Sequence, residues 1–277
     1  MDVTIIYFSQ TGSTQKVAEI ISTVFTETGN SVRVIPLKKA TTEDAINSDL
    51  LGIGAPCFAN QAPTPVKQFL RTLPKLNGKR AFVFSTSGGA PGRVLYDLTS
   101  LLRKKGIVVI GGFLTRGELH HPAPCMIGRM RGRPNQEDLA RAQHFAKSVV
   151  EHISTERSGS LVESRPDALK PRRGFYDLVG LVAIDSLLRL LLPEPKLDTP
   201  LCDKCQWCVK ACPMDNIVLQ PYPVLRDQCI RCYQCLTGCP QKAFNVNWRF
   251  GNLVLLSLYN TIFERWFGDL EPGESIY

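Results

Sequence analysis

Eight of the ten cysteines fall into two copies of one pattern near the C-terminal end. The first copy is Cys202, Cys205, Cys208 and Cys212, followed by Pro213; the second is Cys229, Cys232, Cys235 and Cys239, followed by Pro240. Both read C-x2-C-x2-C-x3-C-P, a spacing that holds [4Fe–4S] clusters. Three cysteines at steps of three set their sulfurs around one small turn, on three irons of a cube. The fourth sits too far along to reach that cube, so it ligates the other one. Spacing therefore assigns Cys202, Cys205, Cys208 and Cys239 to one cluster, and Cys229, Cys232, Cys235 and Cys212 to the second. The proline after each fourth cysteine ends a helix and turns the chain back. Two other readings compete. A disulfide framework needs an oxidising compartment. Zinc sites pair two separated C-x-x-C units and need neither the third cysteine nor the proline.

The chain has 277 residues, room for two domains with a sizeable core in at least one. Its first eight residues run straight into a strand-like segment, without the basic region, apolar helix and cleavage site of a signal peptide, so a cytoplasmic location is expected. The formal net charge is +8. No aromatic-rich basic repeat or nucleic-acid motif accompanies it, which argues against nucleic acid and toward an acidic protein partner or an anionic substrate.

In the N-terminal half, Val3, Ile5, Ile6, Tyr7 and Phe8 form an apolar run suited to a buried strand. Ser9, Gln10, Thr11, Gly12, Ser13 and Thr14 follow, and then Val17, Ala18, Ile20, Ile21, Val24 and Phe25 recur at helical spacing up to Gly29. A loop of hydroxyl residues and one glycine between a strand and a helix start suits a phosphate: unpaired backbone N–H groups and the positive end of the helix dipole face it. The same loop also reads as an ordinary Ser/Thr N-cap. Two further loops favour the phosphate. Residues 50–55 read as a strand and end in Pro56, Cys57, Phe58, Ala59 and Asn60. Residues 80–84 read as a strand and end in Ser85, Thr86, Ser87, Gly88, Gly89, Ala90, Pro91 and Gly92. Each loop precedes a helical pattern, 64–71 and 94–102. Strands at 32–37 and 107–114 and a helix at 136–153 complete an alternating pattern. Such alternation implies a parallel sheet, whose ligands bind beyond the carboxyl ends of its strands.

At this point the chain resembles a known family. Ser9-Gln10-Thr11-Gly12-Ser13-Thr14 is similar to the flavodoxin phosphate loop, T/S-x-T-G-x-T, at every fixed position. The resemblance implies FMN, bound on a doubly wound parallel five-stranded sheet of order 2-1-3-4-5. It implies that residues 9–14 hold the phosphate, and that 56–60 and 85–92 flank the isoalloxazine ring, with Phe58 the stacking candidate. Joined to the cysteine motifs, the chain resembles flavodoxin–ferredoxin fusion proteins, over roughly residues 1–155 and 200–245. The implied plan is an FMN domain at 1–157, a linker and apolar helix at 158–199, a small α+β two-cluster ferredoxin domain at 200–245 and a helical tail at 246–277. The chain departs from ordinary flavodoxins in its basic charge, in the absence of an aromatic from 85–92, and in the long segment 115–134.

Residues 158–173 are polar and read as a linker. Residues 175–192 are strongly apolar, but Asp177, Asp185 and Arg189 and a length barely sufficient for a bilayer argue against a span. An amphipathic helix packing between domains is expected, with contact to a membrane surface the alternative, and Asp185 and Arg189, four apart, can pair on one helical face. Residues 254–267 read as a helix supporting a ferredoxin module too small to stand alone. Cys57 reads as a packing residue. His120, His121 and Cys125 lack a fourth metal ligand, and Arg129, Arg131 and Arg133 read as a solvated basic face.

Two functions compete. One is an electron carrier exchanging electrons between FMN and two low-potential clusters and with a redox protein, such as an acidic ferredoxin or a low-potential reductase. No G-x-G-x-x-G nicotinamide motif appears. The other is an iron–sulfur flavoenzyme in which segment 115–134 covers the flavin and His120 or His121 donates a proton. A head-to-tail homodimer is compatible with either.

Overall fold

The computed structural model describes residues 1–89, 92–124, 126–156, 181–182 and 184–255. They fall into two compact units. One holds the chain up to Glu118 and resumes at Met130; the other holds Leu119–Arg129 and the chain from Val182 onward.

The first unit runs β1 (Asp2–Tyr7), α1 (Ser13–Glu27), β2 (Ser31–Pro36), α2 (Thr42–Ile46), β3 (Leu50–Pro56), α3 (Thr64–Thr72), β4 (Arg80–Ser87), α4 (Val94–Arg103), β5 (Val108–Arg116) and α5 (Gln136–Glu156). Its five strands are all parallel and ordered β2-β1-β3-β4-β5, the expected doubly wound sheet. Both faces are covered, which is why β1, β3 and β4 read as continuous apolar runs rather than alternating ones. Ile6, Leu51, Ile53 and Val83 join Val66, Leu70, Leu98 and Leu102 of α3 and α4 in one core cluster. Val3, Ile5, Phe82, Phe84 and Ile110 join Val17, Ile21, Phe25, Phe145 and Val149 of α1 and α5 in the other. Space for the β4 rings comes from β3: a Cβ on Gly52 would stand 2.5 Å from Phe82, and one on Gly54 2.2 Å from Phe84. Burying each ring contributes roughly 1.5–3 kcal/mol.

Three differences from the sequence expectation are instructive. Helix α2 has no apolar period; a capping box makes it, in which Thr41 Oγ1 accepts from Asp44 N and the Asp44 carboxylate accepts from Thr41 N. Strand β4 continues through Ser85, Thr86 and Ser87, all buried despite their hydroxyls. Strand β5 continues to Arg116, also buried.

β5 and α5 are tied by one carboxylate. Asp138 is fully buried and accepts from Thr115 Oγ1 at 3.0 Å, Arg133 Nη1 at 2.8 Å, Arg141 Nη2 at 2.6 Å and Asn135 N at 3.0 Å. Burial opposes its ionisation, but these donors outweigh burial and hold its pKa below the usual carboxylate value. Arg133 is therefore an ion-pair partner and not part of a solvated face.

The second unit contains α6 (Asp185–Leu191), β6 (Lys196–Leu197), α7 (Trp207–Ala211), β7 (Ile217–Leu219), β8 (Pro223–Leu225), α8 (Gln234–Thr237), β9 (Phe244–Asn245) and α9 (Arg249–Leu255). β6 pairs with β9 and β7 with β8, both antiparallel. Its core is small: Cys208, Ile217, Cys235 and Phe244 form one buried cluster, with Leu197, Trp207 and Leu225 packed around them, and Leu192, Ile230, Tyr233 and Ala243 are buried as well. Of the expected apolar helix, residues 175–180 lie outside the described residues. Leu181 and Val182 are helical, Ile184 is extended, and α6 starts at Asp185. The expected C-terminal helix begins earlier than its apolar run, at Arg249, and residues 256–267 lie outside the described residues. Among the described residues, no helix is long and apolar enough to cross a membrane.

Replacing Asp138 with Ala should destabilise the first unit by about 2–3 kcal/mol in urea unfolding, less than a fully buried pair because both arginines remain about a third exposed. The depressed pKa gives the sign of the pH effect. The Asp138 contribution is complete above the unfolded-state carboxyl pKa and disappears as pH falls through the lower folded value. The Ala variant should therefore show a shallower loss of stability on acidification than the parent.

Candidate functional site

Five loops leave the carboxyl edge of the parallel sheet, and those after β1, β3, β4 and β5 carry the candidate residues. In the first, Gly12 caps α1 at φ 91, no side chain bonds the helix start, and the first turn carries no acidic residue. Ser9 Oγ instead accepts from Gly12 N at 3.1 Å, within the loop. A long helix with an uncapped positive end fits an anion. Thr14 is buried, and its hydroxyl lies 2.9 Å from that of Thr86. The pair has two hydrogens and uses one between them, so the other serves a further acceptor. Thr86, expected beside a flavin ring, thus meets the 9–14 loop.

The second loop is a tight turn. Phe58 and Gln61 exchange backbone hydrogen bonds of 3.0 and 2.9 Å, and Ala59 and Asn60 between them both have left-handed backbones, φ 45 and φ 63. Phe58 is half-buried, its ring edge-on to Phe8 with centroids 6.0 Å apart. Pro56 ends β3, and Cys57 N donates to Thr86 O at 2.9 Å.

The third loop folds against the second. Arg93 N donates to Asn60 O at 2.8 Å, and Gly92, at φ 51, comes so close that a Cβ would lie 2.2 Å from that same oxygen. Ser87 Oγ donates to Gly89 O at 2.7 Å, and Arg116 Nη1 donates to the same carbonyl at 2.9 Å. Gly88 beside them is partly exposed. Residues 90–91 lie outside the described residues. After β5, Gly117 packs so tightly that a Cβ would stand 3.0 Å from Thr86 Cβ and 3.2 Å from Ser13 Cβ.

The sheet therefore brings residues 9–14, 56–61, 85–89 and 92 to one edge. It adds Arg116 and Gly117, which sequence reasoning missed; their position just beyond the fifth strand was the available signal. A hollow of about 790 Å³ lined by Met1, Asp49, Lys79 and Arg80 opens at the opposite, amino-terminal edge and is no part of this crevice. Cys57 keeps partial solvent access, but burial pushes its thiol up to about 12, only partly offset by hydrogen bonds from backbone and from Ser87.

The two cysteine motifs of the second unit share one backbone geometry. Lys204 and Gln206 in the first have φ 60 and φ 62; Arg231 and Tyr233, their equivalents in the second, have φ 54 and φ 56. Asp215 and Lys242, after the two prolines, match in the same way with φ 48 and φ 51. Residues of opposite hand alternating along a chain turn successive N–H groups into an anion-binding hollow. Asn216 N donates to Cys212 Sγ and Ala243 N to Cys239 Sγ, both at 3.4 Å and at equivalent positions. Burial raises the Cys208 thiol pKa, and nearby Cys239 and Cys202 raise it further. Burial raises Cys235 likewise, followed by Cys232, Cys229, Cys212 and Cys208. Among the described residues, no group of three or more His, Cys, Asp or Glu converges as ligands of one metal ion do.

The segment after β5 joins this second unit. His121 sets its ring edge-on to Tyr233 at 5.1 Å and Trp248 at 5.3 Å, and its Nδ1 accepts from Ala123 N at 3.2 Å. Burial lowers its pKa to about 4, so it is neutral at neutral pH. Cys125 lies outside the described residues.

Residues 4–113 match the family model of the flavodoxin domain. Over 150 residues, half of this chain and 81% of the relative, the sequence is 30% identical to a flavodoxin of Aquifex aeolicus. It is 26% identical over 143 residues to an uncharacterized protein of Methanocaldococcus jannaschii, covering 50% of this chain and 91% of that one. A solved structure of a flavodoxin from the domain Archaea aligns with 56% of this chain and 99% of its own, at 18% identity and a TM-score of 0.46. The first unit is thus a flavoprotein domain of the electron-transport type. Through it, the chain belongs to the flavodoxin family, which supports FMN as the occupant of the crevice; the family match ends before the cysteine-rich unit.

With its thiol raised to about 12, Cys57 has almost no thiolate at pH 8. Alkylation by iodoacetamide in the folded protein should run at least about tenfold slower at Cys57 than at an unperturbed thiol, the loss of thiolate outweighing its greater nucleophilicity. Peptide mass spectrometry under native and denaturing conditions reads the difference.

Proposed function

We propose that the protein is an electron carrier that holds FMN in its flavodoxin-like unit and two [4Fe–4S] clusters in its cysteine-rich unit, and that exchanges electrons with a separate redox protein. The observation that carries this reading is the pairing of two fitted sites in one chain: an uncapped helix start in a flavodoxin crevice, and two thiol sets on matching left-handed backbones. When bound, FMN supplies two-electron chemistry and each cluster one-electron chemistry.

FMN is favoured over FAD because nothing in the first unit reads as an adenosine site. Ser9, Gln10, Thr11, Gly12, Ser13 and Thr14 would hold the phosphate, with Thr86 supporting Thr14 through the hydroxyl pair. Segments 56–60 and 85–92 would flank the ring, with the partly buried Phe58 as the stacking side chain. Arg116 and Asn60 brace those segments through Gly89 and Arg93.

Cys202, Cys205, Cys208 and Cys239 would hold one cluster, and Cys229, Cys232, Cys235 and Cys212 the other. The crossed assignment rests on the spacing, which leaves the fourth cysteine of each run beyond the reach of its own cube. The N–H donors to Cys212 and Cys239 would stabilise thiolate ligands in both clusters alike. On this reading the unit resembles a ferredoxin in plan, and the carrier works in the cytoplasm with an acidic ferredoxin or a low-potential reductase.

Two measurements test the proposal. Cys212→Ala should damage the cluster held by Cys229, Cys232 and Cys235 and leave the other more intact in anaerobic electron paramagnetic resonance; loss of the opposite cluster would overturn the crossed assignment. In anaerobic rapid mixing with a one-electron reductant, the cluster absorption should bleach first. The flavin band should follow at a rate independent of protein concentration. A flavin phase that accelerates in proportion to protein concentration would mean that the carriers meet only by collision.

A further inference from the structure

The two cysteine motifs share a backbone but not a setting. Asp203, Lys204 and Gln206, interleaved with the cysteines of the first, are all exposed, as is Cys205. Lys204 lies over the Tyr222 ring, its Nζ 4.3 Å from the centroid, and the Asp203 carboxylate accepts from Cys205 N at 3.0 Å. At the three matching positions of the second motif, Ile230 and Tyr233 are buried and the Arg231 side chain is only 9% exposed.

The chain at 189–194 builds that buried setting. Tyr233 Oη donates to Pro193 O at 2.8 Å. Arg231 Nη1 donates to Glu194 Oε1 at 2.8 Å, and Nη2 to Arg189 O at 3.5 Å. Cys229 also acts on the guanidinium, through charge and as an acceptor. Even so, Arg231 Nε is buried with no hydrogen-bond partner. Such an orphan donor is costly, and a guanidinium cannot shed its charge to escape. Neutral thiols are weak acceptors, whereas ligation turns them into thiolates that accept charge-assisted bonds. The second motif is thus one polar contact short as thiols and can complete it as cluster ligands.

Uptake of one electron adds a negative charge to a cluster. Burial alone opposes that charge, while a neighbouring cation and an N–H donor to sulfur favour it, and more strongly where water is excluded. Glu194 pairs with Arg231, but its side chain is 52% exposed, so water screens the carboxylate more than the enclosed guanidinium. We propose that Arg231 sets the two clusters apart: its free Nε–H bonds a sulfur of the cluster held by Cys229, Cys232 and Cys235, and its charge raises that cluster's reduction potential above that of the cluster on the first motif. Electrons then settle on the second motif first, a role that rests on the electron-carrier reading.

The full-length protein, purified anaerobically, is first assayed for iron and acid-labile sulfide. Their absence overturns the carrier reading and this role with it. With both clusters present, an anaerobic redox titration followed by electron paramagnetic resonance should show two midpoint potentials. Arg231→Gln should weaken reduction at the higher one at least about tenfold, a drop of about 59 mV for one electron, and leave the lower in place. Arg231→Lys keeps a cation and loses Nε, so it should lower the same potential by less; it carries the comparison if Arg231→Gln fails to hold its iron. Lys204→Gln should move neither potential by as much. Two loaded clusters whose potentials are indifferent to Arg231, or move equally when it is replaced, overturn the role of Arg231 alone and leave the carrier reading standing.

Discussion

A parallel sheet buried on both faces controls where everything else in the first unit can go. All five strands point the same way, so every strand-to-helix loop opens at one edge. Residues far apart in sequence then become neighbours. Thr14 and Thr86 are 72 positions apart and share a hydroxyl hydrogen bond. Arg93 bonds Asn60, and Arg116 bonds Gly89 from the next strand over. The order of strands depends on packing: Gly52 and Gly54 on β3 make room for the rings of Phe82 and Phe84, and the Phe82 ring stacks on Phe25 and meets Phe145 edge-on, both on the covering helices. Bulk on β3 would push β4 away and separate the loops that form the crevice.

The second unit has too few buried residues to be held in the same manner. Its order comes from repetition of a backbone. Three pairs of equivalent residues adopt left-handed conformations, none of them glycine: Lys204 with Arg231, Gln206 with Tyr233, and Asp215 with Lys242. Each costs of order 1–3 kcal/mol and persists only where surroundings impose it. Side-chain chemistry differs within two of the pairs, Gln206 with Tyr233 and Asp215 with Lys242, so the shared requirement is backbone direction around the cysteines. On the proposed reading, ligation of two clusters offsets this strain, and folding and metal binding are one equilibrium.

The segment after β5 is divided between these two organisations. Its ends belong to the first unit, where Arg133 pairs with buried Asp138 and the Glu118 carboxylate accepts from Gly132 N at 3.1 Å. Its middle belongs to the second, where His121 is neutral and set among aromatic rings. A proton-donating lid, the role sequence reading offered for this histidine, sits poorly with an imidazole held neutral, with Nδ1 already accepting a backbone hydrogen bond.

The sequence by itself determined the elements whose chemistry is local. Strand–loop–helix alternation specified the parallel sheet, the glycine and hydroxyl loop specified an anion-seeking helix start, and cysteine spacing specified two equivalent turns. Those features are set by neighbours within a few residues, where steric and hydrogen-bonding rules act directly. Only the tertiary structure decided how such pieces meet. It extended β4 and β5 through polar residues that propensity ends too early, because the two strands pair along that stretch, Thr86 opposite Thr115 and Ser87 opposite Arg116. It moved Thr86 to the first loop and added Arg116 and Gly117 to the crevice. It also turned Arg133 from a surface charge into a structural partner of Asp138. These outcomes follow from contacts between residues distant in sequence, whose energies exist only after the sheet order and the packing of its two faces are in place.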